Sequence, residues 1–525
     1  MNRLLPTLLL TAAGLLGSSY HATAQAPTKL WDKTLGGSIT DRSQAIQPTS
    51  DGGYIVGGYS NSPLSGDKSQ GGRGDFDYWV LKLDASGSKQ WDKTFGGINA
   101  DNLRTVLQTA DGGYLLGGTS SSPIGGDKTE SPQSSDYWLV KLDASGTKVW
   151  DRTYGGSAVD ELTTLQPTSD GGFLLGGYSN SPISGAKTQA NLGSNDYWVV
   201  KIDATGTKLW DKTFGGSSAD YLYSLQQTTD GGYVLGGYSS SPISGDKTQA
   251  SWGNNDYWVL KLDASGTKQW DRTVGSFDSD VLYKVAQTTD GGYILGGHSN
   301  SGLFGDKTQN SQGGVDYWVV KLNASGTVLW DKTLGGWGSE FFADVQQTSD
   351  GGFLIGGVSD SNATGDKTRV SQGDGDCWLI KLSASGVTQW DKSLGGNRVD
   401  DLAMLRQTAD GGYILACGTA SDASSDKTQA SQGGQDFWVI KLAADPLSTK
   451  TATARPALTA YPNPTRDQFT LRGPLGTPYQ LLNQLGQVVR AGQLSAQPLD
   501  VQALPAGLYL LRDQTSGHTT KLIKE

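Results

Sequence analysis

Apolar and polar side chains alternate with a period of two along most of the chain, in short runs broken by Gly, Asp and Ser. Residues 221–275 show the pattern. "YLYSLQQT" stops at the turn "TDGG", and "YVLGGYS" leads into the long loop "SSPISGDKTQASWGNND". "YWVLKLD" then ends at "ASG", and "KQWDRTVG" closes the unit. Aromatic and β-branched residues held between such turns predict four antiparallel strands. In the third, Trp258, Leu260 and Leu262 share one face, and Tyr257 and Val259 share the other. Both faces are apolar, so each small sheet must be covered on both sides.

The unit recurs. Trp stands at 31, 91, 150, 210, 270, 330 and 390, and a second Trp at 79, 138, 198, 258, 318, 378 and 438. Asp-Gly-Gly begins at 51, 111, 170, 230, 290, 350 and 410. A unit of about 60 residues without disulfides is too small to stand alone, and an open solenoid would need polar caps that are not evident. Four-stranded sheets covered on both faces suit a radial stack. The ends support closure. The seventh unit supplies three strands and stops at Ala444-Asp445-Pro446, while an orphan "KLWDKTLGG" at 29–37 supplies the fourth. The predicted fold is all-β: a seven-bladed β-propeller over residues 29–442, closed by its N-terminal strand, then a small C-terminal β-sandwich. The Gly-Gly strand, aromatic third strand and Trp-bearing outer strand resemble kelch-type propellers. The fixed "GDKTQ" and "DYW" elements depart from kelch, so no kelch partner is implied.

The ends of the chain set its destination. Arg3, an apolar run from Leu4 to Leu16 and the small-residue site Ala22-Thr23-Ala24 read as a secretory signal peptide, residues 1–24. No other run approaches a transmembrane span. A polar linker, 443–457, leads to "YPNPTRDQFTL", "LLNQLGQVV", "LPAGLYLL" and a basic end, "KLIKE". Residues 458–525 resemble the type A C-terminal sorting domain of type IX secretion cargo of the Bacteroidota. The resemblance implies the type IX machinery as a partner, passage across the outer membrane, removal of the tail and a secreted or cell-surface protein.

Charge narrows the partners. The formal net charge is −10, and outside the signal peptide, linker and tail 33 basic residues face 47 acidic ones. Such a surface disfavours nucleic acid and anionic membrane, which need a basic face, and leaves a cationic partner or a divalent ion open. A monomer is expected.

Catalytic groups are scarce. His298 is the single histidine of the repeat region, so a His-based triad, a multi-His metal site and the His/Tyr/Cys cluster of a copper-radical oxidase are excluded. Acidic residues instead recur ten positions after each outer Trp: Asp41, Asp101, Asp160, Asp220, Asp280, Glu340 and Asp400. With the following strand innermost, they would ring the channel and offer a divalent-cation site, or else cap the turn into that strand. A second series, Asp77, Asp136, Asp196, Asp256, Asp316, Asp376 and Asp436, precedes the third-strand aromatic. Sevenfold repetition argues for scaffold, because catalysis needs one pair of carboxylates set apart. No catalytic residue or organic cofactor is assigned.

Loops carry more information. The first and third connections of each unit are uniform tight turns, while the second and fourth vary and share the opposite face, where binding is expected. Two Trp outside the framework, Trp252 and Trp337, fall there with Phe277 and Phe304. Exposed aromatics among Asn, Gln, Ser and Asp suit sugar stacking or a protein partner. Cys377 replaces the Tyr of "DYW" in the sixth unit, and Cys417 is read as replacing the first glycine of the Gly-Gly pair in the seventh. They form a disulfide if Tyr normally packs over the neighbouring unit's glycine, and are otherwise two buried thiols. The sequence thus favours a binding or adhesion scaffold. The alternatives are a carbohydrate-active enzyme using loop carboxylates and a cation-stabilised envelope component.

Overall fold

The computed structural model describes residues 25–446 and, beyond them, 459–472, 478–483, 487–495, 497–513 and 519–525. The expected signal peptide and the linker from 447 onward lie outside the described residues. The chain divides after Pro446 into two units.

In the first unit, β1 (Lys29–Leu35) is followed by β2 (Asp41–Pro48), β3 (Tyr54–Ser60), β4 (Asp77–Leu83) and β5 (Lys89–Phe95). Strands β2 to β5 form an antiparallel meander, blade 1. Blades 2 to 6 repeat it at 101–154, 160–214, 220–274, 280–334 and 340–394. Blade 7 takes Asp400–Gln407, Tyr413–Thr419 and Asp436–Leu442 from the end of the unit and β1 from its start, with Asp32 opposite Ile440 and Leu35 opposite Phe437. The protein is a seven-bladed propeller closed by its N-terminal strand.

Each repeated residue has a partner. In blade 4, Trp258, Leu260 and Leu262 pack on Tyr197 and Val199 of blade 3, while Tyr257 and Val259 meet Trp318 of blade 5. The Tyr257 hydroxyl donates to the Trp318 carbonyl at 2.9 Å. The Trp258 indole N–H donates to Asp271 at 3.1 Å, and Lys268 pairs with the same carboxylate at 2.9 Å. Lys261 reaches Asp230 of the "DGG" turn at 2.8 Å. In the "ASG" turn, Gly266 holds φ at +79° and lies under the Trp210 ring, so a side chain there would be strained and obstructed. First strands line the inside, and each is bulged, as between Ser43 and Ala45 in β2. The bulge adds a residue and re-aims side chains into the channel.

The second unit has a three-stranded sheet (Thr459–Tyr461, Gln468–Arg472, Leu499–Asp500) and a four-stranded sheet (Val488–Gln493, Pro478–Leu482, Gly507–Asp513, Thr519–Lys524). They share a core of Phe469, Leu471, Tyr479, Leu481, Tyr509, Leu511 and Leu522. Among the described residues no helix is long and apolar enough to cross a membrane.

Candidate functional site

The acidic series lies within the blade junctions instead of lining the channel mouth. Asp41 accepts from the Gly37 N–H at 2.7 Å and the Ser62 hydroxyl at 3.0 Å. Asp101, Asp160, Asp220 and Asp400 repeat this arrangement. Asp280 takes the Ser276 N–H and Glu340 the Gly336 N–H. These turn N–H groups are buried and need an acceptor, which draws the carboxylates off the channel. Each sits beside the second acidic series of the preceding blade: a Cβ on Gly96 would strike both Asp77 and Asp101. One oxygen of each of these Asp residues lacks a hydrogen-bond partner, whereas Glu340 spends both on Gly336, Ser359 and Ser361. Burial, with the neighbouring acid adding, pushes Asp77 up to about 6 and Asp256 up to about 7. His298 is the opposite case: burial lowers it to about 4.

Cys377 and Cys417 meet across blades 6 and 7 as free thiols, their sulfurs 3.1 Å apart. Elsewhere this contact is Tyr on Gly: a Cβ on Gly118 would stand 2.7 Å from the Tyr78 hydroxyl. The register corrects the expected position: Cys417 takes the place of the second glycine of the pair, opposite Trp438, and Ala416 takes that of the first. Oxidation of the purified protein by a small-molecule disulfide is expected to link them: one cysteine forms a mixed disulfide and releases one small thiol, then the other cysteine attacks its sulfur and expels the second small thiol. The check is intact mass, two hydrogens lighter; a persistent pair of thiols after denaturation would count against it.

Three of the four expected aromatics come together on the loop face. Phe277 and Phe304 stack at 3.6 Å and 13°, and Trp252 stands edge-on to Phe304 at 5.6 Å and 86°. Trp252 and Phe277 are 56% and 59% exposed. Beneath Trp252 a cleft of about 290 Å³ is lined by Gln249, Ser251, Arg272, Thr273 and Asp306, with Arg272 and Asp306 paired at 2.8 Å. Trp337, 78% exposed, occupies the place of Phe277 one blade further on.

The residues of the channel wall differ from the acidic ring expected there. The channel cavity of about 400 Å³ is bounded by inward residues of the first strands, among them Arg104, Glu161, Tyr223, Tyr283, Lys284, Asp344 and Arg406. Tyr178, Tyr221, Tyr238, Tyr223, Tyr283, His298 and Phe341 form a continuous chain of ring contacts along blades 3 to 6, with centroids 4.8 to 5.7 Å apart. A signal existed. The third residue of the first strand is Leu or Phe in blades 2 to 7, while the fourth runs Gln44, Arg104, Thr163, Tyr223, Tyr283, Ala343, Ala403. Variation inside a strict repeat marked the channel wall.

Residues 459–525 match the model of the secretion system C-terminal sorting domain. The regulatory protein FlaEY of Caulobacter vibrioides is 22% identical over 438 residues, covering 74% of this chain and 44% of that protein, so the chain spans under half of that relative. Among solved structures, PorZ, a surface component of the type IX secretion system of Porphyromonas gingivalis, matches with TM-score 0.40 and 12% identity, over 96% of this chain and 61% of that one. The Neurospora crassa Pan2 WD40 domain matches with TM-score 0.41 and 10% identity, over 78% and 95%. The fold assignment rests on the sheet order itself. The sorting tail marks the chain as type IX cargo, secreted and attached at the cell surface.

Proposed function

We propose that this exported propeller is a carbohydrate-binding protein of the cell surface, and that its loop face takes a neutral sugar on Trp252, Phe277 and Phe304. The observation that carries this reading is the exposed aromatic platform directly beside a polar cleft. A sugar ring offers C–H groups to an aromatic face and hydroxyls to its edge, and Gln249, Ser251 and the Arg272–Asp306 pair supply donors and acceptors there. An apolar protein partner would cover the same rings but leave that ion pair desolvated without compensation. Asp306, the carboxylate lining that cleft, is bound to Arg272 and accepts from the Gly275 N–H at 3.3 Å. It is therefore occupied as a structural acceptor, which favours binding over hydrolysis.

A glycan array probed with the full secreted chain is expected to show retention of neutral polysaccharide. Trp252→Ala should weaken it about 3- to 10-fold, the worth of one aromatic contact, with the melting temperature unchanged because the side chain is exposed. Wild-type retention by both Trp252→Ala and Phe277→Ala, or no retained glycan, would remove the reading.

A further inference from the structure

The inner wall of the ring is where the repeats cease to be equivalent, and its charges do not balance. Asp344 lies between two cations: Arg406 Nη1 at 2.5 Å from one carboxylate oxygen and Lys284 Nζ at 3.9 Å from the other. Asp344 also accepts from the Leu405 N–H at 3.3 Å. Across the cavity Arg104 and Glu161 carry opposite charges that act on each other through space, while Arg104 donates to Gln44 at 3.3 Å and Glu161 accepts from Thr119 at 3.1 Å. One positive charge is therefore left over, in a propeller that is strongly acidic elsewhere. Burial lowers the Lys284 ammonium from its ordinary value; Asp344 opposes that shift and Arg406 adds to it. A flexible ammonium 3.9 Å from its nearest acid is poorly satisfied, and narrow low-dielectric walls strengthen its attraction for an anion.

The neighbouring wall is aromatic. Tyr223 and Tyr283 meet edge-to-face at 5.0 Å and bound the same cavity as Lys284 and Arg406. A cavity of about 400 Å³ is at the lower end of small-ligand sites and suits a molecule the size of a monosaccharide. A bare inorganic anion would satisfy the cation and leave the ring wall unused; a neutral sugar would do the reverse. We propose that the channel binds one small ring-bearing monocarboxylate, its carboxylate at Lys284 and Arg406 and its ring against Tyr223 and Tyr283. This site is separate from the loop-face platform and does not depend on it.

Calorimetric titration of the full secreted chain at low ionic strength tests the site with two sources of this chemistry, galacturonate and 4-hydroxybenzoate, and with galactose and inorganic phosphate as controls. One equivalent of at least one carboxylate is expected to bind at least about tenfold more tightly than either control. Lys284→Met should lose that preference while Lys284→Arg keeps it, and Trp252→Ala should leave it intact. Thermal melting of Lys284→Met confirms folding, since removing an uncompensated cation is not expected to destabilise the ring. Preference for galacturonate identifies an acidic sugar as the source, and preference for 4-hydroxybenzoate an aromatic acid. The proposal is overturned if both carboxylates bind no better than the controls, or if Lys284→Met binds them unchanged.

Discussion

Removal of residues 29–37 is expected to abolish the single cooperative melt of the propeller. β1 is the outer strand of blade 7, and its side chains satisfy buried groups on the far end of the unit. Asp32 accepts from the Trp438 indole at 3.0 Å and the Thr428 N–H at 3.0 Å. Thr34 accepts from Lys427 at 2.7 Å and donates its N–H to Gln429 at 2.9 Å. Trp31 reaches into blade 1, edge-on to Tyr54 at 6.0 Å. Without the strand, the buried Trp438 indole loses its acceptor, the buried Lys427 ammonium keeps only the Gln429 carbonyl, and Asp436–Leu442 becomes a bare edge. The loss is about 5 kcal/mol or more, from unsatisfied polar groups at roughly 1–3 kcal/mol each plus an unpaired charge, and the bare edge invites aggregation. Calorimetry of the truncated chain, with a peptide of residues 29–37 added back in trans, measures this. Melting identical to the intact chain would show that closure does not hold the ring together.

The second large effect concerns pH. Burial raises Asp77, Asp136, Asp196, Asp376 and Asp436 to about 6 and Asp256 to about 7, and it raises Asp316 beside Glu340. Each faces an acid of the next blade and, on its own blade, a buried Lys such as Lys68 or Lys247. These carboxyls hold their protons more tightly folded than unfolded. The folded chain therefore carries the extra protons between about pH 4 and 7, and stability falls as pH rises through that window. The turn carboxylates behave oppositely. Burial would raise Asp51 and Asp230, but hydrogen bonds from Lys82 and Lys261, from Thr49 and Thr228, and from the following Gly N–H groups hold them at about 2. Their contribution is present above about pH 4 and lost as pH falls towards 2.

Stability is thus expected to peak near pH 4–5, and the melting temperature should drop by about 5 °C or more between pH 5 and 8, a few kcal/mol in total. Lys68 and its counterparts, lowered to about 8 by burial, titrate above this window. Asp256→Asn, which cannot ionise, should make the drop shallower by the share of one of the seven carboxyls. A flat profile in the intact protein would show that the junctions hold no such protons. A melt at pH 8 that falls further on adding chelator would instead assign the unpaired oxygens to a divalent cation.

Much of this architecture was legible because the repeat exposes its own bookkeeping. The orphan "WDKT" strand matched a missing one, and the Cys377–Cys417 contact followed from a Tyr and a Gly being replaced together in adjacent units. The platform was legible as four aromatics outside the framework, although Trp337 stands a blade away from Phe277. The acidic series was visible as residues but not as places. Whether Asp41 faces the channel or a blade junction depends on where the Gly37 N–H points, which spacing does not encode.

The sequence by itself determined the strands, the number of blades, the closing strand and the export tail, because each follows from a local period or from a count of repeats. Only the tertiary structure decided which side chains share the central channel. Lys284, Asp344 and Arg406 lie on three different blades, and they meet because a bulged first strand and a closed ring bring residues about 60 positions apart into contact. That meeting is a property of the curvature of the whole ring, to which no single repeat holds the key.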